Sequence, residues 1–528
     1  MNRWLTSVIC SVVGLNSMML ADVSRPKLVV GIVIDQLRTD YVDYLQNIFG
    51  ENGFNKLRKE GVYLKDVDFK VNGLDAVSGT AIVYSGNYPR YNGITSSKVF
   101  SPEKKSMVPA LHDGAIIGNF TSETYSPTNL RISTISDEIA VDGGGKSKIY
   151  SLAGDPQQAI IMAGHAGSSA FWIDENTGRW ATTTYYRDAP QQPTKINYSS
   201  PLSARIDTMV WKPLLPLSAY SGVPTNKKSD GFTHKFSISD RSVFRQFASS
   251  PKINEEITDM AITYLKDLNI GKNSDAIDML NIAYTLQPYK FSESNDYRLE
   301  LEDSYVRLDR QLARLFDAIN KYVGLNNTFI YITSTGYYDD SAQEDLQFRI
   351  PTGVFSVKRG LSLLNSYLSA TYGNGAYVDT YSSGHVYLDH KLIEEKNLNL
   401  QEVAKTARDF LVKMSGVNDA FTMSDIMSSS LPSMEGIRLG TDPKTGGDVV
   451  LEFNSGWSIL DDTKYPNEVQ NSRTSPVLTP VFMFGENLAP VVIEDRVEAT
   501  AIAPTIADVM RIRSPNGTTT KPVPLKRK

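Results

Sequence analysis

Cysteine is almost absent from this chain. Cys10 is the single cysteine in 528 residues, so no internal disulfide can form and no cysteine-built zinc site exists. Histidine is nearly as scarce, with five in all: His112, His165, His234, His385 and His390. None lies three or four residues from another, which excludes a His-Glu-x-x-His metal motif. His385 and His390 are five apart, and on a strand that spacing turns them to opposite faces. Charge of one sign is not concentrated anywhere. The net charge is −5 with acids and bases interspersed, so no basic face points to a nucleic-acid partner. The closing Lys526-Arg527-Lys528 reads as a solvated terminus.

The first 21 residues are different. Arg3 gives a positive start, an apolar stretch runs from Trp4 to Leu20, and Ala21 is a small residue suited to cleavage before Asp22. This is the pattern of a secretory signal. An uncleaved N-terminal anchor is the alternative. Lipidation at Cys10 is disfavoured by the bulky Ile9 before it. No later stretch approaches 18 consecutive apolar residues, so no transmembrane segment is expected after cleavage. Loss of the leader also removes Cys10. An exported protein without disulfides fits a bacterial periplasm or cell surface better than a eukaryotic secretory route.

The body opens on Lys27-Leu-Val-Val-Gly-Ile-Val-Ile-Asp35, an apolar, β-branched run that reads as a strand buried on both faces. It ends in a carboxylate, and functional groups of open α/β sheets gather at such strand ends. Helical pattern is expected over 40–49 and 53–60, with Gly61 as a C-cap, then a strand over 62–70 and a helix from Asp75 to Tyr84. Further strands are expected at 148–153, 159–162, 279–284, 327–333 and 481–484. Helices are expected at 254–268, 300–322 and 500–510. This alternation argues for a mostly parallel sheet with helices on both faces. Residues 22–528 are expected to form one domain with insertions at about 187–250 and 345–445.

Two short motifs fail. Gly143-Gly-Gly-Lys-Ser147 resembles the end of a phosphate-binding loop, but Ala140 stands where its first glycine is needed. Ser78-Gly79 lacks the leading glycine of a nucleophile elbow.

An ordered set of longer segments carries more. They are Val30-Gly-Ile-Val-Ile-Asp-Gln36, Gly53-Phe-x-x-Leu-x-x-Glu-Gly61, Tyr84-Ser-Gly-x-x-Pro89 with Gly93-Ile94, and Ala163-Gly-His165. Ala170-Phe-Trp-x-Asp-x-x-Thr-Gly178, Tyr305-Val-Arg-Leu-Asp-Arg310, Tyr387-Leu-Asp389, Gly447-Asp-Val449 with Gly456-Trp457, and Ile502-Ala-Pro-Thr505 with Pro515-Asn-Gly517 follow. Together they resemble the alkaline phosphatase superfamily, most closely its bacterial enzymes with a single threonine nucleophile, which group with type I phosphodiesterases and nucleotide pyrophosphatases. The resemblance implies a three-layer α/β/α sandwich. It also implies hydrolysis of phosphate esters by two zinc ions, held by three carboxylates and three histidines.

Most of the implied site residues are missing. Asp35 matches the first carboxylate. The threonine position falls on Leu74, or on Asp75 one residue on. The Asp of an Asp-x-x-x-His pair falls on Gln287 or Pro288, and its His on Tyr289 or Ser292. The Asp-His pair falls in Ser334-Thr335-Gly336-Tyr337. The last histidine would lie near Val469, yet none follows His390. A Lys and an Arg that hold the phosphoryl oxygens in the closest relatives are replaced by Asp155 and Gln157, which removes an electrostatic clamp on a highly anionic transition state. A phosphate-contacting Asn falls in Thr95-Ser96-Ser97.

The first expectation is therefore a pseudoenzyme without bound zinc, exported to the periplasm or cell surface and kept to bind a protein partner of the cell envelope. The 27 tyrosines and the polar insertions are candidate binding material. The alternative is an active phosphomonoesterase or phosphodiesterase with a rebuilt site. In it Asp35 and Asp75 hold one hard cation, and Ser78 or Thr80 serves as nucleophile. A third reading is a binder of an anionic or sugar ligand in the vestigial pocket.

Overall fold

The computed structural model describes residues 25–221, 231–292, 297–339, 352–462, 469–471 and 477–528. The leader expected over residues 1–21 lies outside them. No helix among the described residues is long and apolar enough to cross a membrane.

The strand Leu28–Asp35 is buried along its whole length. Alternate side chains point to opposite faces of a sheet. Val29 and Val33 accordingly enter one core and Leu28, Val30, Ile32 and Ile34 the other. Asp278–Thr285 and Thr328–Ser334 flank it in parallel. Ile149–Ala153 and then Ser169–Ile173 extend the parallel run. Among the described residues the sheet has 11 strands. Thr479–Phe484 lies antiparallel to both its neighbours, and Trp180–Thr183 is antiparallel at the other side.

Helices cover both faces. Ala76–Ser85, Ile135–Asp142, Pro156–Ala163 and Ile502–Met510 pack into the core that holds Val29, while Phe54–Glu60, Lys252–Asp267 and Arg298–Tyr322 pack into the other. The result is an α/β/α sandwich. One element is corrected. Residues 159–162, expected as a strand, belong to the helix Pro156–Ala163. The run Ala-Ile-Ile-Met is apolar on every side because this helix is buried all round, so it shows no helical periodicity.

Two regions stand apart from the sheet. Between 190 and 250, short helices and the strand pair Val210–Trp211 and His234–Lys235 pack on Arg298–Tyr322 through an aromatic cluster of Trp211, Tyr220, Phe232 and Tyr289. Asp303 anchors it, accepting from Trp211 Nε1 at 2.7 Å and Tyr220 Oη at 2.6 Å. Beyond 352 an inserted unit has its own four-stranded sheet, ordered Val378–Ser382, His385–Leu388, Val449–Phe453, Val417–Thr422. Helices Val357–Tyr372 and Leu400–Leu411 close a separate core around Leu364, Leu368, Val403 and Leu451. Arg131 of the main body reaches the buried Asp442 of this unit at 2.5 Å.

Candidate functional site

The strand Leu28–Asp35 ends on a buried carboxylate. Asp35 is buried, accepts the Thr335 hydroxyl at 2.8 Å and accepts Gln36 Nε2 at 3.3 Å. Burial pushes its carboxyl up to about 7 against those two hydrogen bonds, and the negative charges of Asp75 and Asp155 add to the rise. Gln36 adopts a left-handed backbone with φ of 63°, which turns the chain sharply after the strand. Its Oε1 accepts the Asp339 N–H at 3.2 Å. Tyr337 lies near enough to Asp35 and Asp75 for both charges to help hold its hydroxyl protonated, behind the larger effect of burial.

Asp75 caps the helix Ala76–Ser85. Its Oδ1 accepts the Ser78 N–H at 2.8 Å, and Ser78 Oγ accepts the Asp75 N–H at 3.0 Å, completing a capping box. Its Oδ2 accepts the Ser97 N–H at 2.5 Å. The Ser97 carbonyl accepts Gln157 Nε2 at 2.9 Å, and Gln157 Oε1 accepts the Leu111 N–H at 3.1 Å. Three positions at which the resemblance expects phosphate contacts or the nucleophile thus hydrogen-bond to one another. Asp155 caps the next helix by accepting the Gln158 N–H at 2.8 Å. A helix N-terminus is a natural anion seat, and here the chain's own carboxylate fills it. Burial raises that carboxyl to about 6, with Asp75 opposing its ionisation too. Glu123, also raised to about 7 mainly by burial, feels Asp155 as well.

Leu74 is half-buried and packs against the main core. The hydroxyls of the alternative reading are engaged within their helix. Ser78 is in the capping box, and Thr80 Oγ1 donates to the Ala76 carbonyl at 2.7 Å and accepts Gln158 Nε2 at 2.9 Å. Gly79 on the same helix meets the Thr335 backbone so closely that a Cβ there would lie 1.8 Å from the carbonyl oxygen.

The remaining expected positions lead elsewhere. Gln287 Nε2 donates to the Ala248 carbonyl at 3.1 Å, tying Gln287 and the neighbouring Pro288 to the 190–250 region. Tyr289, at an expected histidine position, joins the aromatic cluster 5.1 Å from Trp211 and 4.5 Å from His234 between ring centroids. Val469 lies in the strand Val469–Asn471. The five histidines each have other neighbours. His112 meets Thr124, His165 sits between Asp137 and Leu130, and His234 faces Glu300. His385 accepts the Gly447 N–H and is pushed down to about 4 by burial, while His390 pairs with Asp448. Among the described residues no group of three or more His, Cys, Asp or Glu is gathered as a metal site.

Gln36, Gln158 and Glu123 are members of this site that the sequence does not single out. Gln36 directly follows the strand-end carboxylate, which is the available signal. The other two are brought in by tertiary packing.

With this geometry in view, the comparisons are direct. The profile of the type I phosphodiesterase / nucleotide pyrophosphatase family matches residues 29–476. The chain belongs to that family, in the alkaline phosphatase superfamily. It is 26% identical over 543 residues to alkaline phosphatase PafA of Elizabethkingia meningoseptica, covering 99% of this chain and 98% of that protein. It is 27% identical to a protein of Myroides odoratus named calcium-transporting ATPase, covering 94% of each. Alkaline phosphatase PhoV of Synechococcus elongatus is 26% identical, covering 94% of this chain and 92% of its own. The crystal structure of wild-type PafA superposes with a TM-score of 0.83 at 24% identity, over 95% of this chain and 98% of that one. The fold is therefore the alkaline-phosphatase-like one.

Proposed function

We propose that this member of a phosphoric-ester-hydrolase family does not hydrolyse phosphate esters and serves as an exported binding protein of a bacterial cell envelope, in the periplasm or on the surface, engaging a protein partner there. The hydrogen-bond chain Asp75–Ser97–Gln157–Leu111 carries this reading, because groups positioned for a phosphate satisfy each other instead. The electrostatics agree. Asp35 and Asp155 are raised by burial and by neighbouring carboxylates, an environment that opposes an entering phosphate anion. The donors nearest Asp35 are the Thr335 hydroxyl and the Gln36 amide. That set does not fit a pair of zinc ions, which take imidazole and carboxylate ligands. No catalytic step is assigned to any residue.

A second reading is favoured by the relatives, since PafA and PhoV are named alkaline phosphatases and match nearly end to end. In it the chain is a phosphomonoesterase or phosphodiesterase with a rebuilt site in which Asp35 and Asp75 hold one hard cation.

One experiment separates the two. The mature protein is incubated with excess zinc, desalted and assayed for metal, then tested on p-nitrophenyl phosphate and its bis ester beside Asp35→Ala. The first reading expects no retained zinc and the same background from both proteins. Retained zinc near the two ions of a two-metal site, or hydrolysis that Asp35→Ala abolishes, establishes the second. The partner is tested by crosslinked capture from the native envelope against an unrelated exported protein of similar charge, and recovery of the same proteins by both would end that part of the reading.

A further inference from the structure

A cavity of about 640 Å³ lies between the main body and the inserted unit. Its size falls within the roughly 300–1,000 Å³ of small-molecule sites. On the body side it is bounded by the hairpin of strands Lys98–Ser101 and Ser106–Pro109. On the other side stand the strand His385–Leu388 and the start of the helix Leu400–Leu411.

One wall is aromatic and apolar. Phe100 of the hairpin and Tyr387 of the inserted unit bring their rings to 4.7 Å between centroids at 38°, and both line the cavity. The polar lining is balanced. Three lysines and His390 face four carboxylates, and the strongest of these groups are already paired. Lys105 reaches Asp389 at 2.6 Å and Asp379 at 3.5 Å, and His390 Nε2 lies 2.8 Å from Asp448 Oδ1. An anion entering here meets carboxylates, and a cation must displace Lys105. Lys444 and Glu394, one of each sign, stand outside these pairs, and beside the other charged groups either ligand loses a pair already made. A neutral ligand rich in hydroxyls loses none. Its O–H groups can donate to the carboxylate lone pairs left over, and the side chains of Gln401 and Ser424 on the lining supply further polar contacts. The apolar wall suits a face of ring C–H groups.

We propose that this cavity binds a neutral saccharide of one or two rings, seated against the Phe100–Tyr387 wall and held by the carboxylates that Lys105 and His390 orient. The site is separate from the one at Asp35 and does not depend on whether that one hydrolyses anything.

The full mature protein is applied to a glycan array bearing neutral, N-acetylated, sialylated and sulfated glycans, and the retained neutral structure is titrated as the free disaccharide by calorimetry. Ser424→Trp and Gln401→Trp are the controls, since both side chains are exposed on the lining and an indole there fills the cavity without entering a core. The expected result is retention of neutral glycans, saturable binding, and a loss of about tenfold or more in affinity in both variants at an unchanged melting temperature. No retention, retention confined to sialylated and sulfated glycans, or binding that survives both fillers overturns the proposal. Each of those outcomes leaves the zinc and hydrolysis measurements untouched.

Discussion

The buried cluster at Asp35 and the cavity at Tyr387 both gather charged groups, yet they are built in opposite ways. At Asp35 the carboxylates face one another, and burial rather than a counter-charge sets their state. At Tyr387 the Asp379, Asp389 and Asp448 carboxylates meet a lysine or a histidine. The first arrangement closes on itself through Asp75, Ser97 and Gln157. The second leaves a volume. Charged residues alone therefore do not mark a usable site, because what matters is whether an open volume is left beside them.

This contrast can be broken by substitution. The largest effect is expected at Gly79, where a side chain would strike the Thr335 carbonyl. Gly79→Leu should cost about 3 kcal/mol or more, whereas Ser424→Trp at the open cavity should stay within about 0.5 kcal/mol of the parent. Chemical denaturation of both variants checks the pair, and equal losses would mean the two pockets are packed alike.

Next comes Asp35→Asn. A carboxyl raised to about 7 binds more protons in the folded state than in the unfolded one. Stability therefore falls as pH climbs from about 4 to about 7. Asn retains an acceptor for Thr335 and cannot ionise, so the variant should gain on the order of 2–3 kcal/mol over the parent at pH 8 and nothing at pH 4. Melting curves across that window would show a flat difference if Asp35 were instead held ionised.

A smaller loss is expected from Arg131→Ala. It leaves the Asp442 carboxylate, whose side chain is 1% exposed, with the Lys444 N–H and the Thr445 hydroxyl but no counter-charge, and should cost about 1–2 kcal/mol in urea titrations. The smallest concerns His390. Its pairing with Asp448 raises its pKa from the usual 6.5. The stabilisation is thus fully present below the unfolded value and disappears as pH rises through the raised one. Because the side chain is 62% exposed, solvent screening limits it to a few tenths of a kcal/mol. His390→Gln should melt below the parent at pH 5.5 and with it at pH 8.5.

The sandwich was legible because its central strands are long, apolar and rich in Val and Ile, as in Leu28–Asp35 and Thr328–Ser334. Pro156–Ala163 was misread as a strand for the same reason in reverse, since a helix buried all round has no polar face. Asp155 followed by proline was the overlooked start signal. At the site, Asp35 and Thr335, 300 residues apart, are joined by a hydrogen bond, and segment order alone had placed both there. Gln287 and Pro288 were placed there too, but the packing of the 190–250 region draws Gln287 to Ala248. Tyr387-Leu-Asp389 and Gly447-Asp-Val449 stand among the matched segments, but that they border a cavity is not legible in the sequence, because its opposite wall comes from a hairpin about 300 residues away.

The contact of Gly79 with Thr335 is made by main-chain atoms. The distance between the capped helix and the end of the central sheet is therefore fixed without reference to what the surrounding side chains can do. Exchanging Leu74, Asp155 or Gln157 alters the furnishings and leaves that spacing alone. The backbone behaves like a mould whose shape outlasts its contents, and a graft of metal-binding side chains would land on main chain already held in place.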